Sequence, residues 1–235
     1  MSAARPQLAP VPSQPNLNGR SPLAHLLHAL NQPLTGLQCS MELAAAGPRP
    51  KGQYVRTLRE GLDLVARMRL LVEALREVAE LQTSRPQEWS TVLFDHLLQE
   101  VLHDLQPVAE TRNVGVHAVI AARLAVRADV RLSTLIFRFL ESALSLACGA
   151  SDLQVTAVPE PTSVCLTVSW MPGTPLEHSP FSRAELGLLI AQAGWEHLGA
   201  KCVQSHNGRE CTWQVRIPLA SADQSANRTE NGDLR

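Results

Sequence analysis

The sequence predicts an α+β chain in which a two-helix hairpin precedes a mixed domain of helices and strands. Three observations carry that prediction. Leu23, Leu27, Leu30, Leu34, Leu37, Met41 and Ala44 recur at alternating spacings of four and three, the seam of a helix that buries one narrow stripe against partner helices. A second run of helical period covers residues 54–82, after a Gly-Pro stop. Beyond Pro86 the pattern changes to short β-branched or alternating runs interleaved with apolar helical ones.

Taken in order, residues 1 to 20 are rich in Pro, Ser, Ala and Asn without apolar periodicity, which reads as a disordered tail. Ser21-Pro22 opens the first helix, with Ser21 as N-cap and Pro22 at the first helical position. Gly47-Pro48-Arg49-Pro50 ends it near Ala46. In the second helix Val55, Leu58, Leu62, Val65, Met68, Val72, Leu75 and Ala79 keep the period, with Arg and Glu between. A hairpin over residues 21–84 cannot cover its own seam, and dimerising into a four-helix bundle would do so. A coiled-coil stalk without chemistry has the same pattern.

Thr83-Ser84-Arg85-Pro86 marks the boundary to a second domain, 87–219. Trp89 to Leu93 reads as an edge strand or the lead into a helix over 94–112, which Pro107 bends or shortens. Runs 114–121 and 124–127 read as strands, and 129–147 as a strongly apolar helix. Segments 153–158 and 163–170 form a hairpin around Pro159-Glu160-Pro161. A helix over 186–198 closes at Gly199, and 201–205 with 212–219 form a hairpin across Asn207-Gly208. The tail 220–235 is polar and expected to be disordered.

Composition narrows the function classes. At 235 residues the chain can hold two modest domains. A net charge of −1 excludes a general nucleic-acid or membrane-surface binder. Cys39, Cys148, Cys165, Cys202 and Cys211 form no CxxC or CxxH cluster, which argues against a metal site and for a reduced, cytoplasmic chain. No apolar run is long enough to span a membrane.

His28-Ala29-Leu30-Asn31-Gln32-Pro33-Leu34 resembles the phosphoacceptor box of bacterial two-component histidine kinases, in the form His-Glu-Leu-Asn-Gln-Pro-Leu. Only Ala29 departs from it. The resemblance implies that His28 is the phosphorylated residue, that Pro33 bends the helix beneath it, and that Gln32 positions water for receiver dephosphorylation. The remaining histidines have no such context and read as ordinary surface or partly buried residues. The order of elements after Pro86 resembles the family's ATP-binding domain, an α/β sandwich. Leu186-Gly187-Leu188-Leu189-Ile190 resembles its glycine box, and Thr212 to Leu219 its last strand.

Within that resemblance the nucleotide positions are altered. Arg138 and Ser142 stand where the family's Mg²⁺-binding helix has asparagines, and a hard octahedral ion needs oxygen ligands in place. Ser169 replaces the aspartate that reads adenine, with Gly173 retained. Glu185 replaces a glycine, with Gly187 and Leu188 retained. Only thirteen residues, 174–186, separate Gly173 from Gly187, too few for a lid over ATP, with Phe181-Ser182-Arg183 as its remnant. The expected protein is therefore a dimeric histidine phosphotransferase that exchanges phosphate with response-regulator receiver domains and uses no cofactor, ATP or Mg²⁺. Transfer from an activated aspartyl phosphate tolerates Ala29; autophosphorylation needs the acid beside the histidine. The alternatives are a working ATP-dependent kinase with a divergent pocket, and a non-catalytic dimer that binds a kinase or receiver.

Overall fold

The computed structural model describes residues 21–83, 89–147, 152–172 and 182–220. The expected tails apart from Ala220, the 84–88 boundary, the segment 148–151 with Cys148, and the segment 173–181, which includes Gly173 and Phe181, lie outside the described residues. The elements are α1 (Pro22–Ala45), α2 (Lys51–Thr83), β1 (Ser90–Leu93), α3 (Phe94–Arg112), β2 (Gly115–Ile120), β3 (Ala125–Ala128), α4 (Leu132–Leu146), β4 (Asp152–Pro159), β5 (Ser163–Trp170), α5 (Arg183–His197), β6 (Lys201–Asn207) and β7 (Glu210–Pro218).

α1 and α2 form the hairpin. Small residues set how closely the two helices approach: Gly36 faces Leu64, and a Cβ on Gly61 would stand 3.2 Å from Leu37. Ser21 occupies the N-cap but its side chain makes no capping bond. α1 runs through Pro33, and α3 runs through Pro107 to its full length. α3 ends on Asn113 in the left-handed conformation, with φ of 56°. No helix among the described residues is long and apolar enough to cross a membrane.

The main sheet has the order β2-β4-β5-β7-β6, with β2 parallel to β4 and every other pair antiparallel. Its parallel pair requires a crossover, which β3 and α4 supply. β1 pairs with β3 in a separate two-stranded ribbon, joined to the end of β7 by a bridge between Val126 and Leu219. Alternation along β4, β5 and β7 turns Leu153, Val155, Leu166, Val168, Trp213 and Val215 inward, where α3, α4 and α5 cover them. Phe139 of α4 meets Trp195 and Trp213 edge-on, at 6.3 and 5.8 Å between ring centroids. Truncating a fully buried aromatic at such a junction costs about 3–5 kcal/mol.

Two buried carboxylates pin the loops around this core. Burial pushes Asp95 upward, but the Arg123 amide donates to it at 2.9 Å, and such backbone bonds hold it below the usual carboxylate range. That contact also fixes Arg123 at a φ of 62°. Burial likewise raises Asp129, whose accessibility is 1%. The Arg131 guanidinium, donating at 2.5 and 2.8 Å, and the Arg131 amide at 2.9 Å overcome that rise and hold Asp129 low. A lowered folded-state value means stability that is present above the unfolded value of 3.8 and lost as pH falls through the folded value. Asp129→Asn is therefore expected to cost about 1–3 kcal/mol at neutral pH. Urea unfolding at a series of pH values should show that difference from wild type narrowing below the ordinary carboxylate range.

Candidate functional site

The site begins with α1, whose circumference carries two apolar stripes. The heptad seam expected to be buried is not the one this chain uses for itself. Leu26, Ala29 and Pro33 are buried instead, with Leu26 and Ala29 at 0% exposure. Leu27 and Leu34 remain 49% and 52% exposed, Met41 is exposed, and Leu23, Leu30 and Leu37 are half-buried. The reason is α5. Leu186, Leu189, Ile190 and Ala193 of that helix form one apolar cluster with Leu26, Ala29, Leu71, Ala74 and Val78 of the hairpin. An α1 stripe one residue away from the leucine seam therefore faces inward.

His28 and Gln32 are exposed on α1 and stand one turn apart. Thr35 is exposed too, its hydroxyl donating to the Asn31 carbonyl at 2.9 Å. Pro33 has no N–H to give the Ala29 carbonyl, so the helical ladder lacks one bond beneath His28. From Pro22 to Met41 the helix carries no Asp, Glu, Lys or Arg. The imidazole thus projects from a helix stretch without charged side chains, with solvent on one side and α5 behind its neighbour.

Ala29 takes on a different meaning here. An acid at that position would not stand free beside His28, because the position is closed against the apolar cluster. Restoring the family's acidic neighbour by Ala29→Glu is thus a burial problem before it is a catalytic gain.

At the altered nucleotide positions, α4 and α5 meet directly. Ser142 is 5% exposed, and a Cβ on Gly187 would collide with its Oγ. Leu188 is buried in the sandwich core. Ser142, Gly187 and Leu188 are thus brought together, but as packing. Ser169 lies half-buried on β5. Arg138 donates to Glu77 of α2, tying the sandwich to the hairpin. Glu185 serves the helix end. It closes a capping box with Ser182, accepting from the Ser182 amide at 2.8 Å while the Ser182 hydroxyl accepts from the Glu185 amide at 3.2 Å. The Ser-x-x-Glu spacing is a readable signal for that role. Tested against Mg²⁺ and ATP, these residues do not fit: 138 is an ion-paired cation, and 142 is a buried hydroxyl against a helix backbone.

Further along α5 a cleft of about 150 Å³ opens beside α2 and α4. Glu77, Arg131, Thr134, Arg138 and His197 line it. Its cations are engaged, Arg138 with Glu77 and Arg131 with Asp129, and Arg131 Nη2 lies 3.3 Å from His197 Nε2. Among the described residues no group of three His, Cys, Asp or Glu side chains gathers as a metal cluster.

No protein-family model matches the chain, and no curated protein sequence does. Solved structures do match. The chain is similar to the histidine kinase AdeS of Acinetobacter baumannii, with 17% identity and a TM-score of 0.53 over 83% of this chain and 98% of that one. It is similar to histidine kinase ThkA in complex with response regulator protein TrrA, with 19% identity and a TM-score of 0.55 over 84% and 60%. Full-length ShkA in complex with AMPPNP aligns at 20% identity and a TM-score of 0.53, over 85% of this chain but 46% of that one. The fold, hairpin and sandwich together, is histidine-kinase-like.

Ala29→Glu is expected to lower stability by about 2–4 kcal/mol, since the carboxylate must be buried unpaired or the α5 contact given up. Denaturant unfolding of the full chain measures this. A stability within 0.5 kcal/mol of wild type, roughly the range of a surface change, would place Ala29 outside the α5 contact.

Proposed function

We propose that the protein is a histidine phosphotransferase of a two-component pathway, acting in the cytoplasm through His28 and without its own ATP chemistry. The observation that carries this reading is the pairing of an exposed imidazole in the phosphoacceptor box with nucleotide positions taken up by packing. His28 is open on α1 while Ser142 and Gly187 are pressed together. An imidazole nitrogen with a free lone pair is nucleophilic near neutral pH. It attacks the phosphorus of a receiver's aspartyl phosphate; the N–P bond forms as the P–O bond to the carboxyl group breaks, and aspartate leaves as carboxylate. The receiver supplies its own Mg²⁺, so position in line with the acyl phosphate is the main demand on this chain.

A receiver as the partner is supported by the similar structure of a histidine kinase bound to a response regulator. The charge-free stretch of α1 around His28 suits a partner that meets this helix through apolar and hydrogen-bonding contacts. Gln32, exposed one turn on, is the residue we assign to holding water for receiver dephosphorylation.

The same reading includes a homodimer. Leu27, Leu34 and Met41 on α1, with Leu58, Leu62 and Val72 on α2, stand about half exposed or more in the single chain. Two such faces closing on each other form a four-helix bundle. Leu27→Asp with Leu34→Asp should convert the dimer to a monomer that keeps its sandwich, by light scattering and circular dichroism. A wild-type chain that is monomeric at micromolar concentration would defeat the bundle.

For the chemistry, His28→Ala is expected to abolish acceptance of label from a phosphorylated receiver. Stability should change by less than about 0.5 kcal/mol, because the side chain is exposed and no cavity opens. ATP alone should leave no label on wild type, whereas Mg²⁺-dependent labelling of His28 from ATP would establish a kinase instead. Acceptance at the wild-type rate by the His28→Ala chain would overturn the reading.

A further inference from the structure

The described structure leaves α5 almost no free surface. Leu188, Ala191 and Trp195 belong to the sandwich core, while Leu186, Leu189, Ile190 and Ala193 belong to the cluster with the hairpin. A helix that is apolar all round must be buried on both sides, and here its two sides belong to different units. On the sandwich side the fit is flush, because a Cβ on Gly194 would stand 2.6 Å from Leu135 and one on Gly187 would strike Ser142. α5 therefore has no room to slide on α4. On the hairpin side it rests on Leu26 and Ala29, residues flanking His28 in sequence, and on Leu71, Ala74 and Val78 of α2. Arg138 of α4 and Glu77 of α2 close the polar rim of that seat, each side chain a little over one-third exposed.

We infer that α5 clamps the sandwich to the hairpin directly behind His28, so that the two units move as one body, and that Arg138 and Glu77 are the positioning pair that holds the clamp. The consequence for the reaction rests on the phosphotransfer reading: with α1 backed by α5 on the Ala29 side, the His28 side stays turned to solvent and meets a receiver at one fixed angle. No reacting atom touches Arg138 or Glu77; they act through α5 and α1. The small side chain at 29 belongs to the same device, since a larger one would lift α1 off its seat.

Hydrogen exchange on the full chain, read by mass spectrometry, tests the clamp without reference to phosphate. Glu77→Arg and Arg138→Glu each place like charges across the seam; the double variant restores an opposite pair in reversed order. Each single variant is expected to speed exchange across residues 186–193 and 24–33 roughly three- to tenfold. Exchange in β5 and β7 should stay at the wild-type rate, which shows the sandwich still folded, and the double variant should return 186–193 to wild type. Ile190→Ala, which thins the apolar seat and leaves the ion pair alone, should give the single-variant pattern. In parallel, transfer from a phosphorylated receiver to His28 should slow in the single variants and recover in the double. Unchanged exchange at 186–193 in the singles and in Ile190→Ala, or a double variant no better than the singles, would overturn the clamp. If exchange follows the expected pattern and wild type accepts no phosphate, the clamp stands and the phosphotransfer reading falls.

Discussion

The structure depends on one helix satisfying two neighbours at once. α5 contributes Trp195 to the aromatic junction with Phe139, and through Leu189 and Ile190 it covers the open end of the hairpin. Neither role is available to an ordinary amphipathic helix, which turns one stripe to the core and the other to water. Much else follows from that double burial. It explains why Gly187 and Gly194 are glycine, two turns apart and both facing α4. It selects which stripe of α1 is buried, and so leaves Leu27 and Leu34 of the leucine seam about half exposed.

Most elements were legible before the fold was known. The α3 boundaries, both antiparallel hairpins and the turn at Gly208, with its φ of 63°, follow from apolar period, turn chemistry and length. What periodicity cannot supply is the identity of the partner. α1 is apolar at 23, 26, 27, 29, 30, 33, 34 and 37, so both a heptad seam and a neighbouring stripe can be drawn on it. Composition along one helix does not say which stripe meets its own chain. The parallel pairing of β2 with β4 and the β1–β3 ribbon were out of reach for a similar reason, since long-range register leaves no local mark.

The site was legible in part, and unevenly. His28 and Gln32 stand exposed where the box places them, because an exposed flank is a local property of a helix. The altered positions 138, 142 and 185 were visible as losses. Their present roles became visible only in three dimensions: an ion pair across units, a close helix contact and a helix cap. One clue was available. LGLLIAQAGW has no polar stripe wide enough for solvent, which already marks a helix covered on both sides.

Arg138 and Ser142 also bear on the history open to such a chain. Arg138, Ser142 and Glu185 each make a contact of their own, so an exchange at any of them removes that contact before it supplies a ligand. Asparagine at 138 gives up the bond to Glu77. Asparagine at 142 has to force its longer side chain against the α5 backbone. Neither exchange passes through an intermediate as stable as the starting point. A lineage that reaches this arrangement has passed through a gate that closes behind it, and drift alone would tend to keep it there.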